Sequence, residues 1–167
     1  MLKDYAIENA PPTFSLDALN PFDTGLGSLN ALHPPPTQIF KLWEKFLENV
    51  NPLIKIIHVP TVQRDLLNAC LDLENVSKPL EALMFAIYAS AVNSLSNEEC
   101  EGLAHASKTQ LQDRFFRAAQ HALVRAGIFG TLDIVVLQAA LLLLVGLPSQ
   151  SVSPQDSPNS SQEFRYI

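Results

Sequence analysis

Four cationic or protonatable side chains, Arg114, Arg117, His121 and Arg125, follow one another at steps of three, four and four residues. That spacing puts them on one side of a helix. A stripe of this kind can meet an acidic protein partner or a nucleic-acid backbone. Read instead as a solvated face, it still has a physical use, because its later members oppose the negative end of the helix dipole. Asp113 and Gln120 lie beside it and dilute its charge. The four residues form the candidate partner-contact face.

Other chemistry is sparse. None of His33, His58, His105 and His121 pairs with a second histidine, a cysteine or a carboxylate at a spacing typical of zinc or iron ligands, so no metal residue is expected. His33 lies in a proline-rich loop and His58 in a connector, where a hydrogen bond to nearby backbone is expected. Glu98, Glu99 and Glu101 sit where a helix begins and suit its electrostatics better than acid–base work. Gly25-x-Gly27 neither leaves a strand nor enters a helix, so it is no phosphate loop. No nucleophile has a recognisable base. The chain is therefore expected to have no catalytic, cofactor-binding or metal residues and to be no enzyme, with an all-helical enzyme of scattered carboxylates as the weaker alternative.

The elements behind these residues follow from composition. With 47% hydrophobic and 17% charged residues in 167, the chain supports one globular domain. Aliphatic residues and alanine dominate and only six glycines occur, which favours helix. A net charge of −6 argues against autonomous DNA binding. Cys70 and Cys100 allow at most one disulfide, and no basic-then-apolar leader opens the chain. The apolar run Leu132 to Leu147 contains Asp133 and Gln138 and falls short of the ~20 residues of a bilayer span, so it reads as a buried helix.

Residues 1–32 read as a flexible acidic, proline-containing leader, either a linker or an activation segment. A first helix is expected after Pro36, with Thr37 as N-cap, running to about Val50 on a stripe of Ile39, Trp43, Phe46 and Val50 widened by Phe40 and Leu47. Leu53 to Pro60 reads as a short helix or an extended connector packed on the core. Thr61 would cap a second helix, Val62 to Leu73, with Leu66, Leu67, Cys70 and Leu73 inward. Ser77 and Pro79 open a third, apolar nearly all round and therefore central. Ser96-x-x-Glu99 and Ser107-x-x-Gln110 are capping boxes, the first for a short piece to about Leu103. The second opens a long helix with core stripe Leu111, Phe115, Ala118, Ala122 and Ala126, ended by Gly127. Thr131 with Asp133 starts the last helix, Leu132 to about Val145. The fold class is all-α, an irregular bundle of about six helices over 33–147, with a disordered tail at 148–167. Trp43, Phe46, Leu83, Ile87, Phe115, Leu137 and Leu141 are the expected core.

Five strings then matter in their order: LHPPPTQIFKLWEKFLENVNPL from Leu32, IKIIHVPT from Ile54, PLEALMFAIYASAVNSLS from Pro79, NEEC from Asn97, and RFFRAAQHALVRAGIFGTLDIVVLQAALLLL from Arg114. Together they resemble the regulatory middle-homology domain of fungal binuclear-zinc-cluster transcription factors, the fungal-specific transcription factor domain. The resemblance implies a helical regulatory module of nuclear factors that control metabolic or secondary-metabolite genes. It implies contacts with full-length zinc-cluster factors, co-regulators or further copies, while a six-cysteine zinc cluster reads the DNA. Here only two cysteines occur and no Cys-x-x-Cys-x6-Cys array. Family members also continue beyond the equivalent of Val145. The expectation is a regulatory domain truncated at both ends, with the third and last helices leaving apolar surface uncovered. The alternatives are a small helical accessory protein or enzyme of a biosynthetic gene cluster, or a non-functional fragment.

Overall fold

The structure, a computed structural model, describes residues 29–146; the polar tail and the leader up to residue 28 lie outside them. A 3-10 turn at Leu29–Leu32 leads into α1 (Pro36–Lys45), which passes without a break into a π-helical turn at Phe46–Val50. After these come α2 (Val59–Leu71), a 3-10 turn at Leu73–Asn75, α3 (Lys78–Ser94), α4 (Asn97–Ala104), α5 (Lys108–Arg125) and α6 (Ile134–Val145). The six helices are those expected, and no strand occurs among the described residues.

The centre is α3. Every residue from Glu81 to Val92 is buried, against α1, the π-helical turn, α5 and α6. Ala82, Ala86, Ala89 and Ala91 let neighbouring backbones come close, while Phe85, Ile87 and Tyr88 fill the space between them. The buried hydroxyl of Ser90 is satisfied by donating to the Ala86 carbonyl at 2.8 Å. At the C-terminal end of α3, Lys108 Nζ donates to the carbonyls of Asn93 (3.1 Å) and Leu95 (2.6 Å). A cation here satisfies orphan carbonyls and opposes the negative helix end. Asn93 also donates to the Gly146 carbonyl and accepts from Gln112 Nε2 at 2.8 Å, joining the ends of α3 and α6 to α5.

The π-helical turn keeps Phe46 and Val50 inward, with Trp43 stacked on Phe46 at 5.7 Å between centroids. Both capping boxes form as expected, at Ser96/Glu99 and Ser107/Gln110. Gly127, at φ 79°, ends α5; its N–H donates to the Val124 carbonyl and that of Ile128 reaches the Leu123 carbonyl, a Schellman closure.

Several expectations are corrected. α1 begins at Pro36 on an extended Pro35 with no side-chain cap, because proline pre-sets the helical φ and needs no donor there; Thr37 lies inside the helix. α2 likewise begins at Val59, with Pro60 in its first turn, so Thr61 does not cap it. Its inner face is Val62, Leu66 and Ala69, while Leu67 points out and Cys70 is half-buried. In α1, Leu42 rather than Phe40 completes the buried stripe. Residues 54–58 form the extended alternative of the connector, anchored by Ile57. α6 starts at Ile134 on an Asp133 N-cap, leaving Leu132 in solvent. The expected core residues Leu137 and Leu141 are 42% and 49% exposed; Val136, Ala139, Leu142 and Leu143 face inward instead. α3 is covered on all sides, against expectation, and α6 alone of that pair keeps apolar surface bare.

Candidate functional site

The 3-10 turn and the following prolines lie as a strap across α3 and α5. Leu29 is buried, and Arg114 of α5 donates to the Leu32 carbonyl at 2.8 Å. The strap carries His33 into the interior, where its ring stacks on Phe85 at 4.3 Å and meets the edge of Tyr88 at 5.9 Å. Tyr88 Oη lies 3.4 Å from His33 Nδ1, and Glu81 Oε1 lies 3.9 Å from His33 Nε2. The nearby carboxylate favours the tautomer protonated at Nε2, which leaves Nδ1 to accept from the tyrosine.

Glu81 is 4% exposed and accepts from Arg125 Nη1 at 3.1 Å. Burial raises its carboxyl above the usual range, and Arg125 offsets part of that rise. Burial, helped by the Arg114 charge, lowers His33 from 6.5 to about 4. At neutral pH the imidazole is therefore uncharged, and its contact with Glu81 is not an ion pair. Nε2 has no hydrogen-bond partner within 3.5 Å.

The arginine stripe is divided among internal tasks. Arg114 holds the strap, Arg117 pairs with Asp113 at 2.8 Å on the surface, and Arg125 neutralises Glu81. His121 is half-buried, with Nδ1 lacking a partner. The arginines remain exposed, so the face is present but two of its members also hold the fold together. His58 bonds the Thr61 hydroxyl at 2.8 Å rather than backbone. Glu99 caps α4, and its carboxyl is lowered mainly by the Ser96 backbone N–H, as helix-start chemistry requires.

Glu81 was not singled out from the sequence. Its signal was there, a lone carboxylate inside an apolar helical run; its partner was not, because Arg125 lies 44 residues away. Replacing Arg125 with methionine should cost about 2 kcal/mol, the value of a hydrogen bond to a charged group, moderated by protonation of Glu81. Urea unfolding checks this, and adding Glu81→Leu to Arg125→Met should recover most of the loss, because no buried charge then remains.

Two further surfaces stand out. The outer side of α6 presents Ile134, Leu137, Leu141, Leu144 and Val145 to solvent. Between α2, the start of α3 and the start of α6 lies a cleft of about 790 Å³. Among the described residues no group of three or more His, Cys, Asp or Glu side chains could hold a metal ion, and no helix is long and apolar enough to cross a membrane.

Comparison with known proteins finds relatives over most of this length. The transcriptional regulator nsrM of Aspergillus novofumigatus is 43% identical over 130 residues, 78% of this chain and 18% of that protein. The aurofusarin cluster transcription factor aurR2 of Gibberella zeae is 39% identical over 120 residues, 72% of this chain and 18% of that protein. The pyriculol/pyriculariol biosynthesis cluster transcription factor 1 of Pyricularia oryzae is 35% identical over 147 residues, 87% of this chain and 20% of that protein. The chain thus spans 18–20% of the length of these relatives. No family model matches it, and no solved structure matches it.

Proposed function

The chain belongs to the fungal C6 zinc-cluster transcription-factor family, and from that membership we propose that it regulates transcription through protein contacts, as a regulatory module that does not itself read DNA. The observation that carries this reading is the identity to transcriptional regulators over most of the chain, two of them named for biosynthetic clusters. Secondary-metabolite genes are its targets in this reading and the nucleus its place of action. The net charge of −6 and the internal use of Arg114 and Arg125 support protein rather than DNA as the partner.

The contact surface is the bare side of α6, with the α5 stripe Arg114, Arg117, His121 and Arg125 as a polar second face. Full-length zinc-cluster factors, co-regulators and further copies of the chain are the partners. Large apolar side chains are worth about 1.5–3 kcal/mol each when buried, so a few on one helix side can hold a partner. Fusing the chain to a heterologous DNA-binding domain in a fungal host tests the reading. Reporter output should change, and Leu137→Glu with Leu141→Glu should return it to that of the DNA-binding domain alone without altering the helical circular dichroism. Reporter output indifferent to the fusion would refute the function.

A further inference from the structure

The outer side of α6 lies bare among the described residues, and the helix carries no charged side chain to interrupt it. Ile134, Leu137, Leu141 and Leu144 recur there at steps of three and four, with Val145 beside them, and all five are 42–68% exposed. Together they offer roughly 500 Å² of apolar surface, short of the ~800 Å² per partner of a stable two-chain interface. A second copy pairing through this stripe alone would therefore bind weakly.

An occupant carried on the same chain meets a lower demand. Asn93 of α3 holds the Gly146 carbonyl, so the polypeptide leaves α6 from a fixed point at the end of the stripe. Residues 148–163 contain six serines, three prolines and a single aliphatic residue, Val152, whereas residues 164–167 read Phe-Arg-Tyr-Ile. Three large apolar side chains thus follow a stretch with almost nothing to bury. The 12 residues of α6 span about 18 Å. For a flexible serine-rich chain, the length of residues 147–163 corresponds to a root-mean-square span of about 20–25 Å. Stripe and tether match, and a matched tether presents its segment at an effective concentration of about a millimolar. Contacts of only millimolar affinity are then enough to keep the stripe covered.

We propose that Phe164, Tyr166 and Ile167 fold back onto the outer side of α6 and cover Leu137, Leu141 and Leu144, with Arg165 turned to water. The segment is then an internal competitor for the surface that meets protein partners. That consequence rests on the regulatory function proposed above; the docking itself does not. A partner that also engages the α5 stripe makes a wider contact and displaces the segment.

The test uses the full chain, ¹⁵N-labelled, beside a triple variant, Phe164→Glu with Tyr166→Glu and Ile167→Glu, whose substitutions fall outside helices α1–α6. The variant should keep the circular dichroism, shift the amide signals of Ile134–Val145 and bind a hydrophobic dye several-fold more. In the unaltered chain those signals should stay in place on dilution, as an intramolecular contact requires. Leu137→Glu with Leu141→Glu should in turn shift the amides of residues 164–167. Signals of α6 that ignore the triple variant would overturn the proposal. So would signals that move on dilution, because a second copy then covers the stripe, or a response of residues 1–28 in place of 164–167 to the α6 substitutions. None of these readouts involves transcription, so their failure leaves the regulatory function standing, and a silent reporter leaves the docking standing.

Discussion

Truncating Tyr88 to alanine is expected to remove about 3–5 kcal/mol of folding stability, the range for a large aromatic core side chain. Tyr88 is fully buried at the point where α3, α5 and the strap meet. Its ring makes edge contacts with Phe85 at 5.7 Å, Phe115 at 5.5 Å and His33 at 5.9 Å, so three aromatic neighbours would border the void. Each comes from an element fixed by other contacts, which limits collapse into the space. Domains of this size are commonly stable by ~5–15 kcal/mol, so the loss is a large fraction of the whole. Tyr88→Phe keeps the ring and removes only the hydroxyl facing His33 Nδ1, and should cost about 1 kcal/mol. Urea midpoints of the two variants, with unchanged slope, check both values. A Tyr88→Ala variant as stable as Tyr88→Phe would mean that the ring is not held in this core.

The second large effect is on acid stability. His33 falls from 6.5 to about 4 on folding, so the folded chain favours the neutral imidazole. Its contribution is fully present above pH 6.5 and is lost as pH falls from 6.5 through about 4. A fall of that size corresponds to about 3 kcal/mol. Glu81 acts in the opposite direction. Its carboxyl is raised, so folding favours its protonated form and its penalty eases as pH falls towards the ordinary carboxylate range. The charged and titratable groups facing His33 are Glu81 and Tyr88 from α3, with Arg114 and Arg125 from α5 behind them. Thermal unfolding between pH 7 and 4 should therefore show a decline in the native chain. His33→Gln, which keeps a polar group in the pocket, should abolish most of that decline or reverse it. An identical pH profile in the variant would place the acid-sensitive group elsewhere.

Much of the architecture could be read from the residues because local and global preferences agree. Ser96/Glu99 and Ser107/Gln110 are capping boxes in sequence and in space, and Gly127 takes the left-handed conformation that ends α5. The α1 stripe is amphipathic, so Ile39, Trp43, Phe46 and Val50 could be placed inward before any fold was known. α6 is the opposite case. Its residues other than Gln138 are apolar, so periodicity carries almost no information about which side packs, and Leu137 and Leu141, expected inward, face out. The buried polar cluster was hidden for another reason. It depends on a strap folding back across α3 and α5, and a tertiary contact between His33 and Glu81 leaves no trace in local spacing. The stripe of Arg114, Arg117, His121 and Arg125 was legible as a helix face, but the tasks of Arg114 and Arg125 were set by what lies opposite them.

The order of the elements has a consequence during synthesis. The helix at the centre is third along the chain, and its chief neighbours α5 and α6 both leave the ribosome after it. Until Arg125 has emerged from the exit tunnel, the nascent chain has an acidic side chain in a greasy helix with no counterion, and two of the walls around Phe85 and Tyr88 have yet to appear. A pause in translation after α3 has left the tunnel and before Arg125 has done so would thus hold an aggregation-prone segment in the open, and the chain's demand for chaperones should peak there.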